Sequence, residues 1–495
     1  MLRHQLAMSI FFLNLNHVAH AQAQSTIRRI GKGKTMKERV LDGHMSRRTF
    51  LGVGATGLAA TALHGLLPSR GRADNTPRAR TTAPDGRPCA VVRTAEFFGD
   101  EEMVLTFPHG WQVQTCYMDG HFAPPLTDDE IRTALRSTVQ TGRIAELAQG
   151  KRSVVITFDD CARPTPTGRV VPFVIEELHA AGIGDDQIYF HGSFGTHAAM
   201  YQQDFTAKLG ADIVAKYPVW NHDCFNGMTQ VGTTSRGMPV KLSKRFVDAD
   251  FKICISGVKP HGMAGYGGGA KAVVPGVASI ETARYAHEEL NSIERTAVAY
   301  VNNPVRLGME EAARLANLDI SVNIIMNGDR QVAGLFAGDV VGAHRAAVRV
   351  AHERYNTTLA QNADVVVSNA YPQSVEASKE LKYCRMSLRD GGTAVLIQDT
   401  PAGQRKIHYL GWSGDLERRA LRRRSRGLPV PQAAQVIIFN RWPCALDEMD
   451  YSPEVYHAKT WDEVVARLTR IHGEGTKVAV YPAAALAHEP MPLRM

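Results

Sequence analysis

Short apolar runs rich in β-branched residues recur along this chain, and most of them are followed by a longer helical pattern. Residues 153–158 (SVVITF) are the clearest case. A continuous Val/Ile run of this kind suits a strand buried on both faces, as strands of parallel sheets are. Further strands are predicted at 187–190, 252–256, 320–326, 364–368, 393–398, 435–439 and 477–481. Helical patterns at 170–181, 200–209, 280–293, 340–355, 373–388 and 461–471 lie between them. Strands alternating with helices predict βαβ units and mainly parallel sheets. A chain of 495 residues is too long for one core, so two α/β domains are expected, with the active site in the cleft between them. The polar helical stretch 343–362 offers the boundary, giving an N-terminal catalytic domain at 93–352 and a C-terminal α/β domain at 353–495.

Charge is unevenly placed. The first 80 residues hold 13 of the 57 lysines and arginines but 3 of the 49 acids, which leaves 44 basic against 46 acidic residues in the body. A body this close to neutral gives no footprint for nucleic acid. One basic run, 418–426, reads as a solvated helix face. The basic start has its own explanation. Ser46-Arg47-Arg48-Thr49-Phe50-Leu51 precedes an apolar Gly/Ala-rich run at 52–67. This resembles a twin-arginine export signal, so residues 1–73 read as a leader (signal 45–73) and 74–92 as a linker. The apolar run is shorter than the ~20 residues of a membrane span, so no stable span is expected. The expected partner is the twin-arginine machinery and the expected location periplasmic or otherwise extracytoplasmic. Seven scattered cysteines fit neither a disulfide framework nor a zinc ribbon.

The polar motifs follow the predicted strands, where ligands bind in open α/β sheets. Asp159-Asp160-Cys161-Ala162-Arg163-Pro164 comes directly after SVVITF. Its arginine can hold a carboxylate in bidentate fashion and its carboxylates can orient a histidine; an N-cap with a structural ion pair fits equally. His191 and His197 follow the strand at 187–190. A histidine there suits proton transfer, although a loop histidine is more often structural. Asn221-His222-Asp223 has metal-ligand residue types, but their adjacency favours a turn. The densest motif is GVKPHGMAGYGGGAKAVVPGVASIETARYAHEEL, residues 257–290, carrying His261, Gly267, Gly268, Gly269, Lys271 and His287. It lacks the glycine spacing and Ser/Thr of a phosphate loop, yet glycines still let a backbone approach a ligand closely. His287 falls in a helix expected to start at a Ser279 cap, as metal ligand or surface residue. Tyr371-Pro372 precedes Glu376 and Lys379 at a predicted helix start, where a cation is disfavoured unless it meets an anion.

Taken in order, these residues resemble the nickel-pincer lactate racemase family over roughly 93–482. The matching positions are Thr106-Phe107-Pro108 with Gly110-Trp111, Asp160 and Arg163, Gly195-Thr196-His197, His261, Lys271 and His287 at their intervals, Ala337-Gly338-Asp339, and Lys379 after Tyr-Pro. The resemblance implies racemisation or epimerisation of a small-molecule 2-hydroxy acid by proton-coupled hydride transfer. It implies nickel held in a pyridinium-3,5-bisthiocarboxylic acid mononucleotide tethered at Lys271, with enzymes that make this cofactor as partners. His287 would be the metal ligand, a residue type suited to nickel beside sulfur. His197 and His261 would be the acid/base pair. Asp160 and the glycines 267–269 would face the cofactor. Arg163, Lys379 and Glu376 would face the substrate.

The sequence departs from the family at several of these positions. Glu376 stands where the family usually has glutamine, Gly267 where it has serine, and Ala270 where it has arginine beside the lysine. The family's C-terminal active-site tryptophan has only Trp412 and Trp442 as candidates. These changes point away from lactate towards a larger 2-hydroxy acid such as a sugar acid. Two other readings of the same residues are a zinc hydrolase using His197, His222 and His261, and an exported non-catalytic solute-binding protein.

Overall fold

The computed structural model describes residues 80–293, 297–401, 427–443 and 451–495. The leader, the basic run 418–426 and Trp412 lie outside the described residues. Two six-stranded sheets organise the molecule. The first runs in the order Val332–Gly338, Ile320–Met326, Phe251–Gly257, Val154–Phe158, Ile188–Gly192, Val219–Trp220. All its pairings are parallel except the one that adds Val332–Gly338. The second runs Tyr456–Ala458, Gln435–Phe439, Leu388–Ile397, Ala363–Asn369, Lys477–Tyr481, Gln112–Thr115 and is parallel throughout.

Alternation across the pleat builds the cores. Val154, Ile156 and Phe158 enter one apolar cluster and Val155 the cluster on the other face. Val366 and its neighbours Val365 and Val367 divide in the same way in the second sheet. Each of these side chains is fully buried, and full burial of one such aliphatic side chain stabilises by roughly 1.5–3 kcal/mol.

Both sheets reverse direction at a switch point. In the first, the chain leaves Val154–Phe158 for Ile188–Gly192 on one side and later adds Phe251–Gly257 on the other. In the second, it leaves Ala363–Asn369 for Leu388–Ile397 and later adds Lys477–Tyr481 on the far side. The loops that part at such a point leave a crevice beyond the strand ends. Those loops carry Asp160, His261 and Glu376.

Several elements differ from the sequence expectation. The end of the stretch read as linker forms a strand, Cys89–Thr94, hairpinned to Glu101–Thr106, with Cys89, Ala90 and Val92 buried. Gln112–Thr115 crosses to the second sheet, where it pairs with Lys477–Tyr481. The helix expected at 373–388 is a tight 3₁₀ segment, Ser374–Glu380, broken at Glu376 (φ −120°, ψ 27°), followed by a helix Leu381–Ser387. The helix at 280–293 starts at its Ser279 cap but passes through a π-helical turn, Ala286–Leu290. Such turns widen a helix and recur at functional sites. Among the described residues no helix is long and apolar enough to cross a membrane.

Candidate active site

A cavity of about 660 Å³ opens at the switch point of the first sheet. Asp160, Arg163, His197, His261, Gly267, Gly268 and Lys271 all line it. Chain separations of up to about a hundred residues therefore converge on one crevice.

The two adjacent aspartates have different tasks. Asp159 pairs at 2.6 Å with Lys208, whose side chain is fully buried. Lys208 also donates to the carbonyls of Asp160 (3.1 Å) and Arg163 (2.9 Å), which fastens the loop from three points. Asp160 instead accepts from His197 Nδ1 at 2.6 Å. Burial works to raise its carboxyl, but the His197 ring, Arg163 and Lys208 outweigh burial and hold it at about 2. The ring lies in a turn closed by Gly195 (φ +61°), where a Cβ would meet Pro275 at 3.1 Å. Its Nε2 lies 3.5 Å from the Arg163 guanidinium. A carboxylate at Nδ1 and a pure donor near Nε2 define the tautomer: Nδ1 carries the hydrogen and Nε2 the lone pair. Burial lowers the ring's proton affinity below its ordinary value, against the pull of Asp160. His197 is thus a neutral base facing the cavity.

His261 has the opposite tautomer. Its Nδ1 accepts from the backbone N–H of Met263 and of Ala264, each at 3.2 Å. Nε2 therefore carries the hydrogen. Burial, reinforced by Lys271, Lys379, Arg163 and Lys259, keeps this ring far below the usual histidine value. One neutral histidine offers a lone pair to the cavity and the other an N–H.

Lys271 projects from a 3₁₀ turn, Gly269–Ala272. Burial, then the charges of Arg163 and Arg306, brings its ammonium down to about 7. The glycine loop before it is rigid rather than open. Arg306, fully buried, donates to the carbonyls of Ala264 (3.3 Å), Gly268 (3.0 Å) and Tyr266. Gly267 N–H goes to the Lys259 carbonyl at 2.7 Å and Gly269 N–H to Asn323 Oδ1 at 3.0 Å. These committed groups remove the open amide cradle that the glycine run suggested. What the glycines supply is space. Gly268 has φ +80°, and a Cβ there would meet Val258 at 2.9 Å. Gly269 (φ +59°) packs against His344 and does not line the cavity.

Arg163 Nη1 reaches Glu376 Oε1 at 3.1 Å, and Lys379 bonds the other carboxylate oxygen. The Glu376 side chain is 4% exposed. This carboxylate, which alone would repel an acidic substrate, is neutralised from both sides at the residue where the 3₁₀ segment is broken. Lys379 meets its anion three residues away, as the sequence required. Glu96 anchors the same segment, accepting from Ser374 N–H (2.7 Å) and Oγ (2.9 Å).

His287 sits in the π-helical turn beside the cavity lining. Its Nδ1 lies 2.6 Å from the Ala283 carbonyl, four residues earlier, so it carries the hydrogen and Nε2 the lone pair. Burial lowers its proton affinity, with Lys271 and His197 close enough to add to the effect. A neutral imidazole oriented through its second nitrogen is the form in which histidine ligates metals. A buried, readily deprotonated amine at Lys271 and this imidazole fit the donor set of a tethered metal cofactor with one protein ligand.

The other histidines stand apart. His191 bonds the Gly192 carbonyl (2.7 Å) and Ser243 (2.9 Å), and His222 bonds the Ala278 carbonyl (3.0 Å). Asp223 caps its own turn through Phe225 and Asn226 N–H. His197 and His261 line one cavity but His222 is not part of its lining, and among the described residues no three metal-binding side chains gather. Trp442 is 49% exposed and away from the cavity lining.

Four charged residues with structural or electrostatic roles went unseen in the sequence: Lys208, Arg306 and Glu96, which are buried, and Lys259, which is half-buried. Lys259 lines the cavity and donates to the Ala485 carbonyl of the C-terminal layer at 3.1 Å, with burial pushing its ammonium down to about 7. A lysine directly after a buried strand was its only signal.

Two layers of mainly parallel sheet, a crevice at the switch point and a pair of histidines with complementary tautomers make an α/β cleft able to take up and give back a proton. Residues 98–298 match the lactate racemase N-terminal domain. The chain is 28% identical over 295 residues to a lactate racemase of Thermoanaerobacterium thermosaccharolyticum, covering 58% of this chain and 68% of that one. It is 26% identical over 382 residues to a lactate racemase of Lactiplantibacillus plantarum, covering 72% and 90%. In structure it resembles the lactate racemase apoprotein of T. thermosaccharolyticum (TM-score 0.59, 21% identity, 81% of this chain and 100% of that one). It also resembles a Thermotoga maritima protein (TM-score 0.54, 16% identity, 76% and 100%). Residues 98–298 thus carry a lactate racemase N-terminal domain, and the curated proteins the chain resembles are lactate racemases, which are isomerases.

Proposed function

We propose that this protein racemises or epimerises a 2-hydroxy acid with a nickel-pincer nucleotide tethered to Lys271 and ligated by His287. The observation that carries the reading is the single cavity lined by His197, His261 and Lys271 with Arg163 beside them. The lactate racemase N-terminal domain at 98–298 and the similarity to two lactate racemases support the reaction class.

The residues divide the work. Arg163 and Lys379 would hold the substrate carboxylate, a geometry that fixes C2 before any bond breaks. His197 Nε2, a lone pair backed by the Asp160 carboxylate, accepts the hydroxyl proton. His261 Nε2–H donates a hydrogen bond to the same oxygen as it becomes a carbonyl. When the hydride returns to C2, the proton held on His197 goes back to the oxygen, so a turnover leaves both rings neutral; for the mirror-image substrate the roles exchange. That exchange requires the His261 proton to move to Nδ1, releasing the Met263 and Ala264 amides. When bound, the cofactor supplies the acceptor and donor for the C2 hydride. The Lys271 amine, its ammonium brought down to about 7, would hold one arm of the group as a thioamide, its nitrogen displacing the arm's oxygen as water so that the sulfur is kept. We further propose export by the twin-arginine route to the periplasm after the cofactor-making enzymes have acted, because that route carries folded proteins.

The test is co-expression with cofactor-making enzymes, then peptide mass and chiral chromatography. The reading expects stoichiometric nickel, a mass adduct on the Lys271 peptide and conversion of one enantiomer to a mixture. An unmodified Lys271 peptide after such loading would sink it.

A further inference from the structure

A second cavity, of about 510 Å³, shares Asp160 and His197 with the first. Its other walls are mostly apolar, Phe98, Ala162, Ala198, Ala199, Met200 and Val375, with Cys161 and Asp204 completing them. Three of these are direct chain neighbours of the polar site. Ala162 precedes Arg163, Ala198 follows His197 and Val375 precedes Glu376. The backbone thus turns Arg163 to the first cavity, sets His197 between the two, and turns the small or apolar neighbours to the second. The polar groups that do border it are engaged: Asp160 with His197 Nδ1, and Asp204 with Tyr201 N–H.

Phe98 is held there at a cost. It is 41% exposed, at the tip of the first hairpin. In that tip Ala95, Phe97 and Asp100 all have positive φ (56°, 66° and 49°). Non-glycine residues in that region are strained, and such strain persists where surrounding contacts impose it. Here they do. Glu96 binds Ser374, Asp100 pairs with Arg330 and accepts from Tyr371, and the Phe97 ring lies under Arg330 at 4.2 Å. The tip is fixed to both layers and presents an aromatic ring over the cavity.

We propose that this second cavity is a subsite for the substituent on C3 of the substrate, and that this substituent is apolar, aryl or branched alkyl. The inference rests on the 2-hydroxy acid reading above. With the carboxylate at Arg163 and the hydroxyl at His197, the C3 substituent is the group left without a polar partner, and the cavity beside His197 has the lining to bury it. It replaces the sugar acid suggested by Glu376 alone. Both carboxylate oxygens of Glu376 are taken by Arg163 and Lys379, and a polyol in the second cavity would lose water without gaining partners.

The test is equilibrium dialysis of the nickel-loaded full-length protein against lactate, gluconate and 3-phenyllactate, followed by C2 inversion assays on the same acids. The expected result is 3-phenyllactate binding at least about tenfold tighter than either of the others, the scale of hydrophobic-pocket discrimination. Ala199→Glu, at an exposed position, should cut the ratio of 3-phenyllactate to lactate affinity by about tenfold or more; Phe98→Ala should lower it in the same direction. Gluconate binding more tightly than 3-phenyllactate, or an unchanged ratio in both variants, overturns the subsite. Tight 3-phenyllactate binding without inversion of any acid would overturn the racemase reading and leave the apolar cavity standing.

Discussion

Replacing Asp160 by asparagine tests how the cleft makes a base. Asp160 Oδ2 lies 2.6 Å from His197 Nδ1, and burial keeps the pair away from water. A hydrogen bond to an ionised group contributes roughly 1.5–3 kcal/mol. If the whole of that is expressed as the imidazole takes up the hydroxyl proton, Asp160→Asn lowers kcat by about ten- to a hundredfold. Should the amide present its NH₂ to Nδ1, His197 would adopt the wrong tautomer and the loss would be larger. KM should move little, because Arg163 and Lys379 are assigned to hold the carboxylate. The assay is initial-rate chiral chromatography on nickel-loaded wild type and variant, with nickel content and the Lys271 adduct measured on the same samples. An unchanged kcat, or a rise confined to KM, would refute the assignment of His197 as a base supported by Asp160.

Glu376→Gln should release Arg163 and Lys379 for the substrate; KM for a small 2-hydroxy acid is expected to fall about tenfold, given the strength of charge-assisted bonds, and an unchanged KM would mean that neither cation binds it. Glu96 gives a pH prediction. Burial pushes its carboxyl up to about 7, against the bonds from Ser374, whereas an unfolded glutamate titrates near ~4.3. The fold therefore favours the protonated form. The stability it contributes is complete below the unfolded value and is lost as pH rises through about 7, a swing of roughly 3–4 kcal/mol. Denaturant unfolding at pH 5 and pH 8 should show this fall in the wild type and a flatter profile in Glu96→Gln; parallel profiles would contradict it.

Much of the site was legible because its residues close predicted strands. Asp160 and Arg163 follow a fully apolar run, His197 follows the next, and His261 and Lys271 follow a third, so a parallel sheet brings them together. The pairing of Glu376 with Arg163 joins positions more than two hundred residues apart, and no local pattern encodes it. Arg306 and Lys208 were invisible for a different reason. The hydrogen-bond acceptors of Arg306, and two of the three partners of Lys208, are backbone carbonyls, which leave no trace in side-chain spacing, and a buried cation looks like a surface one until its neighbours are known. The first hairpin was hidden by a tip of six residues carrying only one glycine, where three other residues take up positive φ under contacts from distant elements. Val332–Gly338 pairs antiparallel after a short turn and has no helix before it, so the strand–helix rhythm passed over it.

The reaction itself is tested most directly by the fate of the hydrogen at C2. An enantiopure 2-hydroxy acid deuterated at C2, incubated with nickel-loaded protein in ordinary water, should become a mixture of both configurations with the deuterium retained in each. Inversion accompanied by loss of deuterium to solvent would mean that C2 gives up a proton rather than a hydride, and would contradict the account.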